Sequence, residues 1–419
     1  MCATVGHVSA KPPNVLFLFT DDQRADTIHA LGNDRIRTPN IDRLVRSGLV
    51  FTNAYCMGGH VAAVCITSRT MLMSGLSMFR IGQWREGSPS LPRSMREAGY
   101  ETYHHGKRGN VPLEIQKAFE HNFYLDDEKD RTCGQPGKEI AGRAVEFLRG
   151  GRDKARPFFM YLAFANPHDP RVVTEEYRKP YEVAALPLPK NFLPFHPFDN
   201  GELLVRDEKL APWPRTPEVI RQHLADYYGV ITYLDEQIGR ILDALKESGE
   251  YENTIIIFSS DHGLALGSHG LMGKQSLYED AMKAPLIVAG PGIAPGTPGK
   301  SDALVYLHDL YPTICQLTGA TVPDGLDARS LAPILHGKSQ RVCDALFTAY
   351  RDVQRAVRDE RWKLIYYPKI ERWQLFDLQR DPEELNDRSV DPKQAARLAA
   401  MKETLSAQQK ELGDPLAKP

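Results

Sequence analysis

Three uninterrupted apolar runs predict strands that are buried on both faces. They cover residues 15–19, 158–164 and 255–258. Continuous apolar character, as opposed to strict alternation, is typical of strands that are covered on both sides. Segments with helical spacing lie between the runs, and this alternation predicts a mostly parallel sheet with helices packed on it.

Two of the intervening segments carry clear helix signals. Residues 38–48 have a proline near their start and a glycine at their exit, as helices often do. Residues 216–245 begin with Thr216 as a plausible N-cap and Pro217 in the first turn. Apolar residues then recur at three- and four-residue spacing, so we expect a long amphipathic helix whose role is packing.

The rest of the chain predicts a long loop and a second structural unit. A proline-rich passage at residues 186–214 is too irregular for helices or strands and predicts a surface loop that shapes a pocket. Short aromatic strands at 362–367 and 373–378 are followed by a polar helix. We therefore predict an α/β fold: a large mostly parallel or mixed central sheet flanked by helices at residues 14–337, and a small C-terminal domain with an antiparallel sheet and a helix at residues 338–419.

Polar side chains follow the apolar runs where each predicted strand ends. Asp21 and Asp22 follow the first run, His168 follows the second, and Asp261 and His262 follow the third. The carboxyl ends of parallel strands meet at one edge of the sheet, where ligands of open α/β proteins bind. Carboxylate oxygens favour hard cations, so calcium or magnesium fits this set better than zinc.

Composition narrows the class of protein. The 419 residues are 42% hydrophobic, which is enough for a large core, and the formal net charge of −2 gives no electrostatic reason to expect a nucleic-acid partner. The six cysteines show no CxxC spacing, so zinc or a compact disulfide framework is disfavoured, although one or two disulfides remain open. No apolar stretch is long enough to span a bilayer.

The N-terminus leaves two interpretations open. Residues 8–10 resemble the small-residue end of a signal peptide, although no basic or full apolar region precedes them. We interpret them as a trimmed export signal, which implies a periplasmic or secreted protein. The alternative is an ordinary cytoplasmic N-terminus.

Several separated motifs, in order along the chain, resemble the type I sulfatases of the alkaline phosphatase superfamily. The resemblance runs from about Asn14 to about Asn386. The motifs are Asp21-Asp22-Gln23, Thr38-Pro39-Asn40-Ile41-Asp42, Cys65-Ile66-Thr67-Ser68-Arg69, Gly106-Lys107, Pro167-His168, Ser260-Asp261-His262-Gly263, Gly273-Lys274, Gln374-Leu375-Phe376-Asp377-Leu378 and Asp381-Pro382 with Glu384-Leu385-Asn386.

The resemblance implies a mechanism and a set of site residues. In this family a maturase oxidises the pentad cysteine to formylglycine, whose hydrated form attacks the sulfur of a sulfate ester, and this implies the same modification for Cys65. Calcium, with magnesium as the alternative, would be held by the modified residue and four neighbours. The implied metal ligands are Asp21, Asp22, Cys65, Asp261 and His262, and the implied catalytic residues are Cys65, Arg69, Lys107, His168 and Lys274.

The chain departs from the family pattern in three places. Thr67 stands where the maturation sequence has Pro or Ala, and His262 stands where many relatives have Asn. Gly109 and Asn110 occupy the positions after Lys107 where relatives place a histidine. His104 or His105 could replace that histidine, or both could be ordinary polar residues of a strand. A pocket role for His196, His269, His308 and Arg351 also stays open.

Three functions remain in view. The first is hydrolysis of a sulfated small molecule or glycan, with a sulfated sugar as the expected substrate. The second is a phosphodiester or phosphonate monoester hydrolase on the same fold, because those substrates also require a nucleophile, a cation and basic residues. The third is a non-catalytic binder of sulfated glycans, which Thr67 motivates.

Overall fold

The computed structural model describes residues 11–108, 111–294 and 299–417. The expected export signal at residues 8–10 and the departure at Gly109 and Asn110 lie outside these ranges. The strands are β1 (Asn14–Thr20), β2 (Leu49–Tyr55), β3 (Gly58–Gly59), β4 (Glu101–Gly106), β5 (His121–Tyr124), β6 (Phe158–Ala163), β7 (Thr254–Ser260), β8 (Lys283–Ala284), β9 (Leu286–Ala289), β10 (Gly299–Tyr306), β11 (Leu346–Tyr350), β12 (Gln354–Arg358), β13 (Trp362–Tyr367) and β14 (Arg372–Asp377). The α-helices are α1 (Pro39–Ser47), α2 (Val64–Ser74), α3 (Leu91–Glu97), α4 (Leu113–Gln116), α5 (Asp127–Thr132), α6 (Lys138–Arg149), α7 (Glu175–Arg178), α8 (Pro217–Glu247), α9 (Glu279–Met282), α10 (Leu310–Thr318), α11 (Ala332–Leu335) and α12 (Ala395–Leu412).

The three apolar runs form the centre of a large mixed sheet. Its strand order is β10-β2-β9-β7-β1-β6-β4-β5, with β8 paired to β2. Strand β1 lies between β6 and β7 and runs parallel to both, and every residue of β1 is buried. Strand β9 is antiparallel to β7 and to β2. The sheet is therefore the expected α/β type, with a parallel centre and antiparallel pairing towards one edge.

Helices cover both faces of this sheet. One face packs in a core with α8 residues such as Leu234 and Ile238, and α8 contacts α1 and α6. The opposite face packs in a core that includes α2 and α10 and continues into the small sheet. Thr216 caps α8 as expected, because its side chain accepts a hydrogen bond from the Val219 amide at 3.3 Å.

The C-terminal strands form a second sheet, in the order β14-β13-β12-β11-β3. Strands β11 to β14 pair with one another in antiparallel fashion, as expected, and α12 packs on them. Strand β3 was not expected: residues 58 and 59 pair in parallel with β11. A two-residue Gly-Gly strand carries no hydrophobic pattern, so the sequence gives no signal for it. The division at residue 337 stays a prediction.

The proline-rich passage forms an irregular loop, and its apolar residues are not all on the surface. Leu186 and Ala211 join α8 in a third apolar cluster. Of the described cysteines, all five carry free thiols, so the disulfides left open by the sequence do not form among them. None of the helices within the described ranges has the length and apolar character needed to cross a membrane.

Candidate active site

The acidic residues that end β1 and β7 meet at one edge of the sheet. The two strands are paired up to Thr20 and Ser260, so the residues that follow emerge side by side. The Asp22 amide donates a hydrogen bond to Asp261 Oδ1 at 3.0 Å. The carboxylates of both residues are almost completely buried. Buried carboxylates need compensating positive charge, and the surrounding residues supply it.

Helix α2 brings Cys65 to these carboxylates. Cys65 is the second residue of the helix, and its Sγ, a carboxylate oxygen of Asp261 and a ring nitrogen of His262 all lie within 4.8 Å of one another. The Ser68 hydroxyl donates to the Asp261 carbonyl at 2.7 Å and fixes the helix against the end of β7. The side chain of Thr67 faces His60, with Oγ1 and Nδ1 3.4 Å apart.

Arg69 lies one turn after Cys65 and joins the two acidic strand ends. Its Nε is 3.0 Å from Asp261 Oδ2, and its Nη2 is 3.0 Å from Asp21 Oδ2. The guanidinium also stacks over the Phe19 ring and is almost fully buried. Burial opposes its charge, but the neighbouring carboxylates, Asp261 first, raise the pKa of Arg69. It therefore remains a fixed cation at the base of the site.

Two buried lysines complete the cationic part of the site. Lys107 follows β4 and places Nζ 2.6 Å from Asp21 Oδ2, while Lys274 places Nζ 2.8 Å from Asp22 Oδ1. Burial would discharge both amines, yet the charge of Asp21 raises the pKa of Lys107 and the charge of Asp22 raises that of Lys274. Both side chains are therefore ammonium ions, and they are paired with the adjacent carboxylates Asp21 and Asp22 at the end of β1.

His168 reaches the site from the segment after β6. Its Nδ1 lies 2.7 Å from the Asp169 carbonyl, a geometry in which Nδ1 donates, and its Nε2 lies 3.9 Å from Asp22 Oδ2. Burial lowers the pKa of His168, while the charge of Asp22 opposes this change. Only 13% of the side chain is exposed, and Nε2 is the ring nitrogen that faces Asp22.

Two acceptor atoms of the cluster fit a divalent cation. Asp21 Oδ1 and His262 Nε2 are buried, and neither has a hydrogen-bond partner among the described residues. His262 Nδ1 is 2.9 Å from the Gly263 carbonyl, so Nδ1 carries the proton in the neutral ring and leaves Nε2 free to bind a metal. Burial disfavours the charged ring, but Asp261, Cys65 and Asp22 together outweigh this effect and raise the pKa of His262 to about 9. The donor set therefore accommodates added positive charge.

The two strand histidines lie on opposite faces of β4. His104 stacks on Tyr161, whose hydroxyl is 3.4 Å from Arg69 Nη1. The Nδ1 atom of His104 lies 2.8 Å from Asn122 Oδ1. His105 faces α6, with Nε2 3.6 Å from a carboxylate oxygen of Glu139. Only His104 is thus close to the cluster, and Tyr161 stands between it and Arg69.

The remaining histidines in question pack elsewhere. His269 stacks on Tyr278 and its carbonyl lies 2.9 Å from His196 Nδ1, whereas His308 stacks on Tyr306 at the start of α10.

The loop at residues 199–210 supplies site neighbours that the sequence did not suggest. Asp207 Oδ2 lies 3.9 Å from Lys274 Nζ and accepts a hydrogen bond from Gln275 at 2.8 Å. Arg206 pairs with Asp169, the residue after His168. No periodicity marks these residues within an irregular loop, so only the three-dimensional arrangement reveals them.

Comparison with known proteins identifies the family. A family model described as sulfatase matches residues 13–320, and one described as N-sulphoglucosamine sulphohydrolase, C-terminal, matches residues 267–411. The chain belongs to the sulfatase family of the alkaline phosphatase superfamily, and it is a sulfatase enzyme.

Individual relatives extend over nearly the whole chain. An N-acetylglucosamine-6-O-sulfatase of Bacteroides thetaiotaomicron is 26% identical, with 99% of this chain and 89% of the relative aligned. A solved structure in complex with its substrate D-glucosamine-2-N,6-O-disulfate superposes with a TM-score of 0.81 at 23% identity and covers 97% of this chain and 99% of that chain. The phosphonate monoester hydrolase of Agrobacterium radiobacter gives a TM-score of 0.79 at 25% identity, with 96% of each chain covered.

Proposed function

We propose that this sulfatase removes sulfate from a sulfated sugar, using a formylglycine derived from Cys65 and a calcium ion, with magnesium as the second choice. The observation that carries the proposal is the convergence of Cys65, three buried carboxylates and three buried cations within one strand-end cluster. The sugar specificity is supported by the N-acetylglucosamine-6-O-sulfatase relative.

The charged residues of the cluster could bind a cation through the carboxylates and an anion through the lysines. Asp21, Asp22 and Asp261 are each paired with a cationic side chain. A divalent cation held by the three carboxylates, His262 and the modified Cys65 would free Lys107 and Lys274 to bind an anion. When present, formylglycine would supply the hydroxyl that attacks sulfur, and calcium would stabilise the negative charge on that hydroxyl.

The chain's own residues would then position and neutralise the sulfate group. Arg69 offers a rigid planar fork at the base of the site, and the two lysine ammonium groups would hold sulfate oxygens from either side. Fixed charges in a water-poor site stabilise charge that develops during reaction. His168 Nδ1 is committed to the Asp169 carbonyl, so Nε2 is the nitrogen that would face the leaving alcohol: it would orient that oxygen as the neutral ring and protonate it as the imidazolium, the form that the charge of Asp22 favours.

The proposal carries two further expectations. Conversion of Cys65 requires a maturase that accepts Thr67 in the pentad. A periplasmic or secreted location would suit an enzyme that acts on external glycans.

Sulfate release from monosulfated monosaccharides tests the proposed function directly. Protein co-expressed with a maturase should release sulfate from at least one member of a panel that includes N-acetylglucosamine 6-sulfate. Faster hydrolysis of an aryl phosphodiester than of every sulfate ester would instead support the phosphodiesterase reading. Sugar binding without any turnover would support a non-catalytic binder.

A further inference from the structure

A tight turn of the small sheet lies beside the candidate nucleophile. The turn follows β11, and the Arg351 amide donates a hydrogen bond to the Gly59 carbonyl at 2.7 Å. Gly59 itself packs closely on α2, since a Cβ at this glycine would lie 3.2 Å from Val64 Cα. Val64 is the residue before Cys65. The turn is therefore attached to the backbone that carries the nucleophile.

The same turn is also attached to the segment that carries Lys274, one of the residues that would bind sulfate. Gln354, the first residue of β12, donates from Nε2 to the Gln275 carbonyl at 3.0 Å and accepts the Leu277 amide at 3.1 Å. Gln275 is the neighbour of Lys274. The turn is thus held against the chain neighbours of both Cys65 and Lys274.

Within this turn, Arg351 has a strained backbone conformation. Its φ of 45° lies in the left-handed region, which a residue with a long side chain rarely adopts. Such strain persists where surrounding contacts enforce it and is concentrated at functional sites. The guanidinium pairs with Glu202, from the loop that also carries Asp207, and 42% of the Arg351 side chain is exposed.

Two buried polar groups lie next to Arg351. Glu202 Oε2 forms no hydrogen bond within the described ranges, and the Tyr350 hydroxyl has no neighbour to pair with except the Arg351 guanidinium. Only 1% of Tyr350 is exposed. Burial, followed by the charge of Glu202, raises the pKa of Tyr350, so its hydroxyl stays protonated and can donate. Unsatisfied buried polar groups are costly unless a ligand or water pairs with them.

We propose that Glu202, Tyr350 and Arg351 form a subsite that binds the hydroxyl groups of the sugar ring whose sulfate ester is cleaved. The proposal rests on the proposed function and adds specificity residues to it. Adjacent ring hydroxyls each donate and accept hydrogen bonds, which matches one free carboxylate oxygen beside a phenol and a guanidinium. Glu202 already neutralises Arg351, so the subsite suits a neutral polyol and gives little compensation for a second anionic group.

Comparing two substrates separates this role from catalysis. The probes are 4-methylumbelliferyl sulfate, whose flat aryl group has no ring hydroxyls, and the best-hydrolysed of the 6-sulfates of glucose, galactose and N-acetylglucosamine. Arg351→Ala, Glu202→Gln and Tyr350→Phe should each lower kcat/KM for the sugar sulfate by about 10- to 100-fold, mainly through KM, as expected for lost hydrogen bonds. Turnover of the aryl sulfate should change less than about threefold, since the subsite does not touch the sulfate.

Two variants control for nonspecific effects and for misfolding. Arg341→Ala removes an exposed arginine that pairs only locally with Asp344, and it should leave both activities unchanged. Tyr350→Phe removes a single hydroxyl, so it remains informative even if Arg351→Ala does not fold.

The outcomes distinguish the subsite from the function it serves. Equal losses on both substrates, or no loss on either in folded variants, would overturn the subsite. A wild-type enzyme that prefers the aryl sulfate to every sugar sulfate would overturn it as well. Absence of wild-type turnover on all the sulfate esters would instead refute the proposed function, and the subsite with it.

Discussion

Cys65 combines two features that distinguish it from the other cysteines that the structure describes. It lies near the start of a buried helix, where backbone amides favour negative charge, and it contacts the acidic end of β7. The exposed Cys133 has neither feature. Position within the fold, and not thiol chemistry alone, therefore selects one cysteine as the candidate nucleophile.

Replacing Cys65 tests this selection. Cys65→Ala should lower sulfate release by at least about 10³-fold, because removing the attacking group leaves only binding and charge stabilisation. The circular dichroism spectrum should stay native, since the substitution removes one small atom. Cys133→Ala is the matched control and should retain full activity. Full activity of Cys65→Ala would remove this residue from the mechanism.

The metal site can be tested without measuring catalysis. Calcium added to chelator-treated protein should raise the thermal unfolding midpoint, because an ion that binds only the folded state stabilises it. Asp22→Asn should reduce the shift by weakening a carboxylate ligand, whereas Asp243→Asn, at a 61% exposed side chain far along α8, should not. Chelation should also abolish sulfate release, and calcium should restore it. Indifference of both readouts to calcium would contradict the assignment.

At the scale of elements, the sequence predicts those strands and helices that have a clear hydrophobic pattern. The apolar runs gave β1, β6 and β7, and the long repeat gave α8 within two residues of its end. The strand-end rule also brought Asp21 and Asp261 to one edge. Strand β3 escaped prediction because two glycines carry no pattern, and Asp207 escaped because its loop is fixed by tertiary contacts alone.

The docking of the small sheet through β3 depends on Gly58. Its φ is +111°, and a Cβ at this position would lie 1.9 Å from the Ala349 carbonyl oxygen. Gly58→Ala should therefore lower the free energy of unfolding by roughly 3 kcal/mol or more. Gly319→Ala is the control, with a φ of +74° but open space around the site of its Cβ, and it should cost only about 1–2 kcal/mol. Chemical denaturation measures both, and equal costs would contradict the close approach.

At the scale of the whole molecule, buried histidines should make the fold sensitive to acid. Burial lowers the pKa of four of them from 6.5 to about 4. They are His104, His196, His269 and His308. Between these two values the unfolded chain binds more protons than the folded protein, so the stabilisation is present above pH 6.5 and is lost as the pH falls towards 4.

The dependence of the unfolding free energy on pH checks this expectation. The free energy should fall steeply between about pH 6.5 and pH 4, with uptake of several protons on unfolding. His308→Phe keeps an aromatic ring against Tyr306 and should reduce that uptake by up to about one proton. The exposed His29 offers the control variant, His29→Phe. A free energy of unfolding that is constant from pH 7 to pH 5 would rule out the histidine effect.

The most direct test of the central claim is the mass of the proteolytic peptide that contains Cys65, taken from protein that is active on a sulfated sugar. The account predicts formylglycine at this position, seen as the corresponding loss of mass and as reaction with an aldehyde probe. An unmodified thiol in every copy of a fully active preparation would contradict it.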